Sequence, residues 1–293
     1  MKKTILSSII VLFLISNVYS MDITLPVLRK GSDLDRYAYD LIIMLLKKTG
    51  EDVNMSHLKN VANQSRKVAL MKKGKLDIDW YGVDQKLEKE LIPIRFPIFK
   101  GLLGHRIFIT NKKFAENEIP KIKTKQDLAK HVMLQGRGWG DVAVLRAGGF
   151  EVKEVGSYET IFKWTNMGRE GHLFPRAVVE PYGELEARKA NLTNLVIDDQ
   201  IMVIYKFGMF FFVSPKNPKL AKILNDNFSK AQEDGSFDNY FANSDYIKSV
   251  LKQSEMATRK HIFRIDNPNL SSETNSIPSK YWLDLKKVAD IIK

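Results

Sequence analysis

The hexapeptide Gly136-Arg137-Gly138-Trp139-Gly140-Asp141 gathers the densest binding chemistry in the chain. Three glycines let the backbone come close to a bound molecule. A helix opening near Asp141 would point free amide hydrogens at an anionic group. Arg137 can add a charge-assisted pair, and Trp139 an aromatic lid. The competing reading is a plain strand-to-helix turn with Asp141 as its N-cap. Trp80 and Tyr81, immediately before Gly82, offer flat apolar faces of the kind that wall small-molecule pockets. Strand side chains alternate between faces, so one of the two is expected to reach a pocket and the other to join the core. Arg176, next to Pro175, reads either as a second anion contact or as the partner of Glu180 or Glu184. Arg106 opens a strand and fits a ligand contact and a hinge support equally well. Glu180 and Glu184 could receive an amine, or sit solvated at a helix start.

Other chemistries find little support. The histidines at 57, 105, 131, 172 and 261 are widely spaced and never stand at i,i+4, so no metal site is expected. The chain has no cysteine, which excludes a disulfide framework, thiolate-held metal and a thiol nucleophile. No Ser-His-Asp set or singled-out pair of acids appears, and no catalytic residue or cofactor is expected. The net charge of +12 invites a nucleic-acid reading. The basic residues are instead scattered among acids, as in KKGKLDID, DQKLEKEL and NKKFAENE, the pattern of solvated faces. A modest attraction for anionic solutes or a membrane surface is the expected result.

The elements that would position these residues can be read from punctuation and periodicity. MKKTILSSIIVLFLISNVYS, with Lys2 and Lys3 before a short apolar run, has the form of a secretory leader (1–20) cut after Ser20, which places the rest outside the cytoplasm, in the periplasm. Beyond it, ITLPVL (23–28), VNMSHL (53–58) and LDIDWYG (76–82) read as strands, with helices at 37–48 and 65–73 closed by Gly50 and Gly74. RIFIT (106–110) leaves this unit. A second one follows, with strands at 131–136, 150–155 and 173–179 and helices at 125–130, 141–147 and 158–167. MVIYKFGMFFFVS (202–214) reads as one long strand returning to the first unit, and Pro218 starts a helix that runs to Glu233. In the tail, a helix is expected around 246–252, then a loop rich in Asn, Pro and Ser (267–279), then a terminal helix from Ser279. This order gives two α/β lobes joined by two crossing strands, with the ligand site between them.

Three segments carry a resemblance to a known family. GKLDIDWYG followed by PIRFPIFKGLLGHRIFI, then LQGRGWGD, then FFFVSPKNPKLAKILNDNFSKAQEDGSFDNYF resemble, in order and spacing, the bacterial extracellular solute-binding proteins of the amino-acid family. The resemblance covers most of Met21 to about Ala242. It implies the type II periplasmic binding fold: two α/β lobes, each a mostly parallel sheet flanked by helices, joined by two crossing hinge strands. Lobe one would comprise 21–105 and 205–293, with a C-terminal helical tail, and lobe two 106–204. The implied function is a monomeric, non-enzymatic protein that captures a small polar, anionic or amino-acid-like solute for an ABC-type transporter. Action on a membrane signalling receptor is the alternative, and a cell-wall-related enzyme a further one. The ligand contacts expected are Trp80, Tyr81, Gly82, Arg106, Gly136, Arg137, Gly138, Trp139 and Arg176. The family's T-x-x-R, whose arginine clamps an α-carboxylate, is replaced here by VDQKLEKE (83–90). Its second-lobe aspartate falls near LFPRAVV, where Arg176 is the prominent charge. Both departures mark a divergent branch.

Overall fold

The computed structural model describes residues 21–50, 52–60, 63–169 and 173–292. The expected leader, its cut after Ser20, and His172 lie outside the described residues.

The chain opens as the glycine stops and apolar runs imply. β1 (Met21–Leu25), the helix Asp33–Lys47, β2 (Val53–His57), the helix Gln64–Lys72 and β3 (Ile78–Gly82) follow one another. Ser32 caps the first helix by accepting the Asp35 N–H, and Leu34, Ala38, Leu41 and Leu45 form its buried stripe. β1 and β2 pair in parallel from Met21↔Val53 to Leu25↔His57. β3 is fastened beside β1 by Asp77, whose N–H donates to the Thr24 carbonyl and whose side chain accepts the Thr24 N–H. A short strand not anticipated from sequence, β4 (Ile92–Ile94), completes the first lobe's outward path.

Residues 95–104 carry the chain into the second lobe as β5 (His105–Asn111). There β6 (Met133–Gly136), the helix Asp141–Ala147, β7 (Val152–Val155), the helix Tyr158–Met167 and β8 (Phe174–Ala177) repeat the β/α pattern. β9 (Leu195–Ile197) and β10 (Ile201–Ile204) close it, and β11 (Met209–Val213) lies back in the first lobe. The run expected as one strand over 202–214 is therefore two strands in two sheets. The break falls where the return leg meets the outward one: Tyr205 donates its N–H to the Gly104 carbonyl, and Ile98 donates to that of Met209. A Cβ at Gly104 would overlap the Tyr205 carbonyl, so only glycine lets the legs come this close.

The sheets are less parallel than expected. β1–β2, β6–β7 and β10–β12, where β12 is His261–Arg264, are parallel ladders. β11 runs antiparallel to both β3 and β4, and β5 antiparallel to β8, β9 and β10. The antiparallel partners are the strands that arrive from the other lobe, and arrival reverses their direction.

The tail also differs. The helix Asp245–Ser254 packs on the first lobe, but β12 then extends the second lobe's sheet beside β10. The expected terminal helix is two single 3₁₀ turns, Ser279–Tyr281 and Leu285–Lys287, before a short helix Val288–Ile291. Leu283 interrupts it by donating its N–H to the Lys100 carbonyl, a tertiary bond that replaces the helical one. Among the described residues no helix is long and apolar enough to cross a membrane.

Candidate functional site

A cavity of about 360 Å³ lies where β3 of the first lobe faces β5, β8 and the 139–141 turn of the second. Its volume is within the range of small-molecule sites. The first lobe contributes Asp35, Lys67, Trp80, Tyr81, Gly82 and Leu103, and the second Arg106, Trp139, Asp141, Tyr158, Arg176 and Glu180. Trp80 and Tyr81 both line it, where alternation predicted one. The cavity wraps the carboxyl end of β3, so both faces of the strand reach it. Gly82 ends that strand against Phe207, whose Cζ would lie 2.7 Å from a Cβ there.

Trp80 and Tyr81 are each anchored to a carboxylate. Trp80 donates its indole N–H to Asp35 Oδ1 at 3.2 Å, and Arg29 grips the same carboxylate through Nε at 2.8 Å and Nη2 at 3.0 Å. Burial opposes the charge on Asp35, yet Arg29's hydrogen bonds and charge prevail and hold its pKa below the usual carboxylate range. Tyr81 donates its hydroxyl to Asp79 Oδ2, where Lys67 Nζ also lies, at 2.7 Å. Asp79 is wholly buried, and that burial pushes its carboxyl up although Lys67 and Tyr81 pull it down. Burial and the charge of Asp79 together raise the Tyr81 phenol, which keeps it a donor.

The second-lobe wall is a buried network of opposite charges. Arg106 donates from Nε to the Tyr205 hydroxyl at 2.8 Å and pairs with Asp141 at 3.1 Å and Glu180 at 3.4 Å. Arg176 holds Glu184 through Nε at 2.9 Å and Nη2 at 2.6 Å, and Glu180 at 2.7 Å. Its guanidinium lies 5.0 Å from the ring centres of both Trp139 and Phe174. Tyr158 donates its hydroxyl to Glu184 and closes that side. Of the two sequence readings of Arg176, the ion pair with Glu180 and Glu184 is present, and the side chain also lines the cavity, where an anion contact would lie.

The glycine-rich turn divides. Trp139, Gly140 and Asp141 reach the cavity, whereas Gly136, Arg137 and Gly138 lie off its wall. Gly136 is covered by the Trp139 ring, Gly138 takes a φ of +75° and donates its N–H to Glu154, and Arg137 is exposed beside Gly156. Asp141 does not cap its helix. Gly140 occupies the cap position without a side-chain bond. The Asp141 carboxylate turns inward to accept from Gln135 Nε2 at 2.8 Å and from the Tyr205 hydroxyl at 3.2 Å. Arg106 and Tyr205 draw it there, because a carboxylate gains more from a buried cation than from one amide.

Sequence reasoning missed Asp35, Lys67, Asp79 and Tyr158 as cavity or anchoring residues. One signal was present: Asp79 stands between Ile78 and Trp80, and an acid inside a buried apolar strand needs a cation nearby. Among the described residues no three metal-ligating side chains converge.

No family model and no curated protein matches the chain. In structure it resembles an ancestral arginine-binding protein bound to arginine, at 14% identity over 76% of this chain and 96% of the other, with a TM-score of 0.52. A Salmonella typhimurium periplasmic binding protein with high arginine specificity is similar at 14% identity, 75% and 97% coverage and a TM-score of 0.52. So is a structure from work on glutathione import via GshT and a cystine ABC importer of Streptococcus mutans, at 12% identity, 75% and 93% coverage and a TM-score of 0.53. At such identities the likeness is one of fold.

Proposed function

From a chain with the two-lobed type II fold of the amino-acid-binding periplasmic proteins, we propose a non-enzymatic solute trap. The interlobe cavity takes a small polar solute bearing an anionic group, and the lobes close on it by bending at the crossing legs. The observation that carries this reading is the mixed origin of the wall. Trp80 and Lys67 come from one lobe, and Trp139, Arg106 and Arg176 from the other. A solute that touches both sets stabilises the closed form, because only there do both sets of contacts exist. The aromatic faces suit a flat or aliphatic portion of the solute, and the guanidinium and ammonium groups suit its acceptors. An amino-acid-like solute fits those demands. A leader at 1–20 would deliver the protein to the periplasm, where a trap of this kind hands its cargo to an ABC-type transporter.

The test is a melting-temperature screen of the unfolded and refolded protein against amino acids, carboxylic acids and small peptides. A true ligand at about a hundred times its Kd should raise the Tm by roughly 5–10 °C and make the protein more compact in solution scattering. A panel in which no compound shifts either readout would overturn the proposal.

A further inference from the structure

The cations on the cavity wall are not equally committed. Arg29 spends its Nε, Nη2 and backbone N–H on Asp35. Arg106 is shared among Tyr205, Asp141 and Glu180, and Arg176 between Glu184 and Glu180. Lys67 differs. Among the described residues its ammonium makes one ion pair, to Asp79 Oδ2 at 2.7 Å. An ammonium carries three N–H donors, so two remain.

Those donors are held in place. The Lys67 side chain is 22% exposed and its partner carboxylate 0% exposed. Asp79 also accepts the Trp80 N–H at 2.9 Å and the Tyr81 hydroxyl, so its own position is fixed from three sides. The ammonium stands 5.3 Å from the centre of the Tyr81 ring, and Lys67 and Tyr81 both line the cavity. A lysine fixed in this way has already lost much of its rotamer freedom, and an anion that binds it costs correspondingly less entropy.

We propose that Lys67 is the first lobe's anion-contacting residue and sets the cleft's preference for anionic over isosteric neutral solutes, with Asp79 and Tyr81 as positioning residues. The inference rests on the solute-trap reading and assigns its charge selection to one side chain.

Matched acid and amide probes test it: L-glutamate against L-glutamine, and succinate against succinamide, titrated calorimetrically into the full-length protein. Wild type should prefer the acid of at least one pair. Lys67→Met should weaken that acid roughly 10- to 100-fold and change its amide by less than about threefold. Lys67→Arg should keep the preference. Because Lys67→Met strands a buried carboxylate, Lys67→Met/Asp79→Asn serves as the folding control. It should melt near wild type and still lack the preference. A double variant that binds the acid as wild type does would overturn the inference, as would a wild type that prefers the amides. A wild type that binds none of the four and gains no stability in the wider screen would instead overturn the solute trap, and this inference with it.

Discussion

Arg176 shows how much of this cleft is decided by single side chains. It joins two glutamates that would otherwise repel each other in a buried wall. Arg176→Ala is expected to cost about 3–5 kcal/mol, because breaking a buried ion cluster leaves uncompensated charge, and urea denaturation should register the loss. His105 makes a second prediction. It is buried at the end of the outward leg with Nδ1 on the Gly101 carbonyl. Burial, aided by the charges of Arg264 and Arg106 and opposed by the Gly101 carbonyl, pushes its pKa down to about 4. Between that value and the ordinary 6.5 the unfolded chain binds a proton that the folded chain refuses, so this contribution is complete above 6.5 and fades as pH falls towards 4. A loss of up to roughly 3 kcal/mol should appear in wild-type melting curves over that window, and His105→Gln should flatten it. At this scale residue type was a good guide and direction was not. Trp80, Trp139, Arg106 and Arg176 stood out by chemistry and all line one cavity. Arg137 stood out equally, but which way a turn residue points depends on how Trp139 folds over Gly136, and no local pattern encodes that. Lys67 was hidden because a lysine on a polar helix face resembles every other solvated lysine.

Elements with local signals of their own were legible. The helices Asp141–Ala147 and Pro218–Glu233 were read from glycine stops and a leading proline. The three- and four-residue strands β4, β9 and β12 were not, since partners far away in the chain define them. The apolar run at 202–214 shows the same limit. Its composition says strand, but only the pairing of Tyr205 with Gly104 says that it changes sheets. Gly104→Ala should therefore cost about 3 kcal/mol or more, the upper end for overpacking, because a backbone carbonyl cannot step aside as a side chain can. A drop in the urea midpoint with an unchanged slope would be the sign. Gly183→Ala is the control: beyond its chain neighbours and its own helix backbone, no heavy atom lies within 4 Å of a Cβ there.

On the scale of the molecule, the two lobes are joined by more than the pair of legs expected. After the helix Asp245–Ser254 the tail crosses to the second lobe as β12 and comes back, fastening to the first lobe when Ser271 and Thr274 donate their hydroxyls to Glu88 at 2.7 and 2.9 Å. Trp282 then settles over Gly101 on the outward leg and Gly208 on the return leg, with Lys206 stacked on its ring. Asn267 adds a bond from Nδ2 to the Lys206 carbonyl at 2.9 Å. The tail thus grips the crossing legs, the part of the chain that the proposed closure would bend. Trp282→Ala is expected to cost roughly 2–4 kcal/mol and to leave the ligand-free protein measurably more extended in solution scattering.

That grip bears on timing as well as strength. If departure requires the jaws to part, a bolt across their pivot should slow it, because Trp282 lies against both crossing legs and would have to shift as they bend. Cargo seated behind such a bolt would linger through brief famine, and loosening the tail should shorten its stay.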